Sequence, residues 1–195
     1  MYETIRMNFE NDIINCLDVL KKGGLILYPT DTVWGIGCDA TNEQAIEKIY
    51  LLKQRPENKT MIVLVPDKKS ILKHVAAPDP AVFDFLEKTT KPTTVIYNGA
   101  LGLADKLPGD DGSVAIRICR DKFCRQLLKR FRKPIVSTSA NISGHSTPKI
   151  FKEISEEIKK GVDYIVVYRQ DDEIVSEPSS LIKWNSNGPV MVIRE

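Results

Sequence analysis

Hydroxyls, an amide and cations gather in two short stretches of this chain that lie far apart in sequence. One is Tyr28-Pro29-Thr30-Asp31-Thr32-Val33-Trp34-Gly35, followed by Lys53-Gln54-Arg55-Pro56. The other is Ser137-Thr138-Ser139-Ala140-Asn141-Ile142-Ser143-Gly144. Together they supply what is needed to hold a polyphosphate and a small polar ligand. Neither stretch holds a nucleophile–base pair or a metal cluster. The chemistry they imply is positioning and neutralisation of charge, with no covalent intermediate.

Each stretch has a plainer reading as well. Pro29 to Gly37 follows an apolar run directly, where open α/β sheets place ligand loops, and the same residues would also make a polar turn. Lys53 and Arg55 stand at the end of a predicted helix. In an extended exit they would point the same way and suit a triphosphate, Arg as a planar fork and Lys as a point charge. As an isolated pair they are better read as the cations that favour a helix C-terminus. Lys59 adds a third cation. Ser137 to Ser143 holds three serines, a threonine and an asparagine, more donors than a turn needs. There is no G-x-S-x-G, so a serine hydrolase is not indicated. Arg117 interrupts the apolar run Val114-Ala115-Ile116-Arg117-Ile118. It is either an edge residue or the anchor for a carboxylate, because a buried arginine requires a partner. Arg194, judged only by its place near the terminus, reads as a solvated charge. His145 has no obvious acid partner, and His74 reads as a surface or packing residue.

These residues need a scaffold, and the chain has the means to build one. It has 195 residues, 42% hydrophobic and 28% charged, which fits one compact α/β domain spanning 1–195. A net charge of +2 argues against a dedicated nucleic-acid binder. No apolar run is long enough for a membrane span and the N-terminus carries no signal region, so a cytoplasmic protein without membrane contact is expected. Cys16, Cys38, Cys119 and Cys124 match no zinc spacing and read as reduced, buried thiols.

Periodicity predicts a helix over Asn8–Lys22, stopped by Gly23-Gly24, then a strand over Leu25–Tyr28. Thr41 with Gln44 makes a capping box for a helix to Leu52. Strands are expected over Met61–Val65, Thr93–Tyr97, Ser113–Ile118 and Pro134–Ser137, with helices starting at Asp67, Asp79-Pro80 and Asp121. Thr147-Pro148 opens a helix that Gly161 closes. Strands over Tyr164–Tyr168, Ser180–Trp184 and Val190–Ile193 follow, the last two joined by an Asn187-Gly188 turn. Helices and strands alternate and the chain finishes in strands. That predicts a mixed, twisted, open sheet with flanking helices. The glycine-rich dinucleotide and P-loop fingerprints are absent.

Taken together, these segments resemble the YrdC-type threonylcarbamoyl-AMP synthase family. The matching residues are Tyr28 to Gly35, Lys53-x-Arg55-Pro56, Val114-Ala115-Ile116-Arg117 and Ser137 to Gly144, and the resemblance runs from about Asp12 to Arg194. It implies a YrdC-like fold in its short, single-domain form. It implies a nucleotidyltransferase that makes threonylcarbamoyl-AMP and pyrophosphate from L-threonine, bicarbonate and ATP, with Mg2+ accompanying ATP. A threonylcarbamoyl-transferase complex would accept the product for adenosine 37 of tRNA. Contact with tRNA or double-stranded RNA is a further implication. By position, Thr32, Arg117, Ser137 and one of Ser179 or Ser180 would bind threonine. Lys53, Arg55, Lys59, Ser113, Ser139, Asn141, Thr147 and Arg194 would surround ATP, with Lys53 and Arg55 as the catalytic cations. The chain departs from the pattern after the Lys-x-Arg motif. Thr60-Met61-Ile62-Val63-Leu64 stands where longer members carry a Pro-Leu pair and a histidine. The late Glu-Ser-Thr element is Pro178-Ser179-Ser180. A paralogue that binds RNA or nucleotide without synthesis is the alternative.

Overall fold

The computed structural model describes residues 9–56, 61–184 and 191–194. Lys59 and the Asn187-Gly188 turn lie outside them. Among the described residues a nine-stranded mixed sheet runs in the order β7-β1-β2-β6-β3-β5-β4-β8-β9. The strands are β1 (Ile26–Tyr28), β2 (Gly35–Gly37), β3 (Ile62–Val65), β4 (Thr93–Tyr97), β5 (Val114–Ile118), β6 (Ile135–Ser139), β7 (Tyr164–Ile165), β8 (Ser180–Lys183) and β9 (Met191–Arg194). Helices α1 (Glu10–Lys21), α2 (Glu43–Lys53), α3 (Lys68–Ile71), α4 (Ala81–Lys88), α5 (Lys122–Phe131) and α6 (Glu156–Lys160) flank it. This is the mixed sheet with flanking helices that the sequence predicts.

β6 joins the two halves of the sheet. Its first residues pair with β3, Ile62 opposite Ser137 and Leu64 opposite Ile135. Its last residues pair with β2, Gly35 opposite Ser139 and Ile36 opposite Thr138. The serine-rich segment therefore begins inside a strand, at the junction, and not after it. β2 escapes the sequence reading because Gly35-Ile36-Gly37 looks like part of a loop. Gly35 is needed for close approach: a Cβ there would lie 3.0 Å from Ser137 Oγ. β5 lies in the interior of the sheet, between β3 and β4. Its alternation buries Val114 and Ile116 in the apolar core and turns Ala115 and Arg117 to the opposite face.

Several local expectations shift for identifiable reasons. The α2 cap is Asn42, whose side chain accepts from Ala45 N at 3.1 Å, not Thr41. Thr41 is taken by Asp39, through its backbone N at 2.8 Å and its hydroxyl at 2.7 Å. The single helix expected after Thr147-Pro148 is a short 3-10 turn over Phe151–Glu153, then α6, restarted by the Ser155 cap. Ile14 faces outward at 54% exposure, while Ile13, Cys16 and Leu20 form the buried stripe of α1. All four cysteines are free and buried.

The strand expected over Tyr164–Tyr168 stops at Ile165 because Asp12 competes for its backbone. The buried Asp12 carboxylate accepts from Val167 N at 3.0 Å, Tyr168 N at 2.9 Å and the Tyr164 hydroxyl at 2.6 Å. It ties α1 to the edge of the sheet, where Phe9 also packs on Tyr168 and on Phe123 of α5. Asp12→Ala should lower stability by about 2–4 kcal/mol, since it leaves buried donors unpaired. Urea unfolding measures this, and a loss below about 0.5 kcal/mol, the range of neutral surface changes, would contradict the assigned role.

Candidate functional site

On the face of the sheet that carries Arg117, a cavity of about 230 Å³ opens where the two half-sheets meet. The register builds its floor. Ser137, Ile62, Ala115 and Ile96 lie on one rung across β6, β3, β5 and β4. Arg117, Thr94, Leu181 and Arg194 lie on the next, across β5, β4, β8 and β9. The backbones of β5 and β9 are therefore about 14 Å apart at that rung, three strand spacings. Long arginine side chains can approach each other across such a gap.

Eight of the residues expected at the site line this cavity: Thr32, Arg55, Arg117, Ser137, Ser139, Thr147, Ser179 and Arg194. Of the two candidate serines, Ser179 lines it. Ser180 stands on β8 outside the lining, as does Ser113, one residue ahead of β5. Lys53 and Asn141 are also outside it. Trp34, Thr138, Pro178 and the apolar Met61, Ile62, Ile96 and Leu181 also line it. The sequence gives no cue to those apolar members, because wall and core residues share one periodicity.

The hydroxyl at Thr32 has a defined sense. Thr30 Oγ1 donates its one proton to Val33 O at 2.8 Å. It must then accept from Thr32 Oγ1, 3.0 Å away, and it also accepts from Thr32 N at 3.0 Å. Thr32 is thereby left with oxygen lone pairs for a ligand donor. Ser179 Oγ shares a 2.7 Å hydrogen bond with Thr94 Oγ1, and both residues are buried.

Lys53 departs from the expected arrangement. It is the last residue of α2, and Gln54 follows in the left-handed region at φ 49°. Arg55, beyond that reversal, lines the cavity, and Lys53 does not. The buried Lys53 ammonium donates to Ser139 O and Asn141 O at 2.5 Å each, and Lys53 O accepts from Ser143 N at 2.8 Å. Lys53 thus clamps the Ser139–Ser143 turn. Asn141 reinforces that turn, donating to Ile142 O at 3.0 Å and His145 O at 2.8 Å. Burial, with Arg55 nearby, pushes the Lys53 ammonium down to about 7.

The cavity is cationic. Among the described residues, Arg55, Arg117 and Arg194 line it and no carboxylate does. Burial works against the charge of Arg55. The Arg194 guanidinium is held below its ordinary value by burial first and by Arg117 second. Two hydrogen bonds to Ser179 O, at 3.1 and 3.0 Å, steer it. Arg117 is no edge residue: it is 3% exposed. It is paired with Asp31, which the sequence reading placed in the motif without assigning it to the site. Asp31 Oδ1 lies 3.1 Å from Arg117 Nη2. Such a cavity attracts anions and surrounds them with hydroxyls. Among the described residues no group of three His, Cys, Asp or Glu could hold a metal. No helix among them is long and apolar enough to cross a membrane.

The comparisons with known proteins agree with this geometry. The model of the family Sua5/YciO/YrdC, described as telomere recombination, matches residues 18–195. The chain is 31% identical over 163 residues to the threonylcarbamoyl-AMP synthase of Pseudoalteromonas translucida, covering 82% of this chain and 87% of that one. Its fold is similar to that of P. abyssi Sua5 complexed with L-threonine, with a TM-score of 0.82 at 21% identity. That match covers 93% of this chain and 53% of the other, so the chain spans just over half of that longer protein. It is equally similar to E. coli YciO, with a TM-score of 0.82 at 23% identity, covering 95% and 89%. A shared sequence pattern over nearly the whole chain and a shared sheet lead to one conclusion: the chain belongs to the Sua5/YciO/YrdC family.

Proposed function

We propose that this chain, as one catalytic domain, is an L-threonylcarbamoyladenylate synthase that uses L-threonine, bicarbonate and ATP. One observation carries the reading: a single cavity joins a buried guanidinium and a hydroxyl acceptor, Arg117 and Thr32, to the cations Arg55 and Arg194 and the hydroxyls of Ser139 and Thr147. The first pair suits the carboxylate and the polar groups of a small hydroxy amino acid. The second set suits phosphates. A relative named threonylcarbamoyl-AMP synthase and a fold neighbour complexed with L-threonine support it.

The steps follow from these groups. Bicarbonate gives CO2 and hydroxide; the threonine amine, once deprotonated, bonds to the CO2 carbon, and the proton then lost from nitrogen joins the hydroxide as water, leaving a carbamate. A carbamate oxygen attacks the α-phosphorus of ATP, the bond to the bridging oxygen breaks, and pyrophosphate leaves with the electron pair. Charge grows on the leaving group, so Arg55 and Arg194 contribute most in the transition state. Mg2+ would help to neutralise the same charge. With no carboxylate cluster among the described residues to hold it, it would arrive on the nucleotide with phosphate and water as ligands. Ser137 and Ser179 complete the threonine pocket. Lys53 acts through the turn it clamps, which presents Ser139. A need for ATP fits a cytoplasmic site of action, and a separate transferase complex would carry the group on to tRNA.

Pyrophosphate release tests the reading, assayed with ATP, bicarbonate and each amino acid in turn. Threonine should drive it. Serine lacks one methyl and should cost about 1–3 kcal/mol, while valine leaves the hydroxyl partners unpaired and should be rejected more strongly. Valine used as well as threonine, or release independent of any amino acid, would favour the RNA- or nucleotide-binding paralogue.

The two lining arginines should separate the substrates. Arg55→Ala should weaken ATP by about 1.5–3 kcal/mol, the worth of a charge-assisted contact. Arg117→Met should raise the KM for threonine far more than the KM for ATP. Equal effects of both variants on both substrates would sink the assignment.

Lys53 carries a pH signature. Its folded pKa of about 7 lies below the ordinary lysine value of 10.5. Between the two, the unfolded chain binds the extra proton, so stability rises with pH across that window. The penalty is largest below the folded pKa. Urea midpoints at about pH 7 and about pH 9 should therefore diverge more in the wild type than in Lys53→Met. Parallel midpoints would show that the amine is not held as described.

A further inference from the structure

A buried guanidinium must have its charge compensated within the protein, and the Pro29–Thr32 loop supplies the compensation. Asp31 Oδ1 lies 3.1 Å from Arg117 Nη2, with side chains 10% and 3% exposed. The contact is electrostatic and lacks hydrogen-bond geometry. Among the described residues, Arg117 Nε and Nη2 and Asp31 Oδ1 are all buried without a hydrogen-bond partner. The other carboxylate oxygen, Oδ2, accepts from Arg120 N at 3.2 Å. Arg120 is itself fixed, its guanidinium donating to Leu86 O and Thr89 O at 2.7 Å each. The loop is held from two more sides. Cys124 Sγ donates to Pro29 O at 3.2 Å and Arg169 Nη1 to Thr30 O at 3.1 Å. Asp31 is thus a carboxylate fixed in place that stands behind Arg117 and does not line the cavity.

Asp31 engages one end of the guanidinium and leaves the buried Nε without a hydrogen-bond partner. A fixed carboxylate beside one end of a planar cation attracts that end and favours one orientation of its remaining donors. Without the carboxylate, Arg117 would keep its charge but lose its bearing, and it would face Arg194, which already feels it. We infer that Asp31 is a positioning residue for amino-acid recognition, fixing the Arg117 guanidinium so that it takes one substrate carboxylate in a defined direction. The inference rests on the threonine reading above.

Calorimetric titration of the full chain with threonine, and separately with ATP, tests it. Asp31→Asn keeps an oxygen to accept from Arg120 N, removes the charge, and sets an amide NH2 in place of the oxygen that faces Arg117. Threonine should bind about tenfold to a hundredfold more weakly, the worth of a hydrogen bond to a charged group, with ATP affinity changed less than about twofold. A residue that only maintains the fold would weaken both ligands alike, and that result would overturn the inference. So would unchanged threonine affinity in the variant. If Asp31→Asn alone does not fold, the double variant Asp31→Asn with Arg117→Met should fold again, because removing both buried partners costs less than leaving one. A double variant that also fails to fold would overturn the pairing. A wild-type chain that binds ATP but no threonine would overturn the functional reading and this inference with it. A wild-type chain that binds threonine, beside a variant that binds it equally well, overturns the inference alone.

Discussion

The site depends on one costly feature, a guanidinium buried within a nine-stranded sheet. Taking an ion of that size out of water costs several kcal/mol even after relaxation, and a well-packed apolar residue there would often be as stable or more so. Arg117 sits on an interior strand, 3% exposed, with apolar neighbours before and after it. Its surroundings are arranged around that charge. Thr94 lies opposite it across the β4–β5 ladder and bonds to Ser179. Asp31 stands against it from the loop after β1. The cavity opens on its own face of the sheet. A cation kept in so unfavourable a position points to a ligand that needs it.

The second constraint is the strand that serves both halves of the sheet. β6 must pair with β3 through its first residues and with β2 through its last. Serine and threonine suit such a crossing, since their short side chains leave room for a cavity and still offer hydroxyls. The turn that leaves β6 has carbonyls pointing inward at Ser139 and Asn141, and Lys53 satisfies both. A buried ammonium with two carbonyl partners is a local solution to the rule that buried polar groups must be paired. The same contact joins the end of α2 to the end of β6, so Arg55, one residue past the reversal at Gln54, is held at the cavity wall.

Which parts of this were legible in the sequence follows from the range of the interactions. Helix α5 with its Asp121 cap, strands β4 and β5, and the cluster of hydroxyls after Pro134 all rest on local periodicity and capping, and they are found where expected. The failures occur where a group outside the expected pattern, near or far in sequence, takes the polar atoms. β7 ends early because Asp12, far earlier in the chain, takes its amides. The α2 cap moves to Asn42 because Asp39, itself paired with Lys133, captures Thr41. Gly35-Ile36-Gly37 is a strand because β1 and β6 pair with it on either side, and Gly35 allows Ser137 to approach closely. At the site, residue type identified Arg117 as a cation in need of a partner. Only the fold could name Asp31, since nothing in local spacing connects the two.

The charge inventory separates what binds from what positions. Among the described residues three arginines line the cavity and no carboxylate does, so the cavity carries an excess of positive charge that suits an anionic ligand. Burial opposes the charge on Arg55, so an anion placed beside it offsets a cost that the fold itself bears. Lys53 is cationic chemistry of another kind. Its ammonium is committed to the backbone carbonyls of Ser139 and Asn141, and burial works against its charge. The Lys-x-Arg pair therefore divides its labour: the lysine organises the turn that presents Ser139, and the arginine faces the ligand. That division follows from one left-handed residue at Gln54, which turns the chain between two cations that an extended path would have kept parallel.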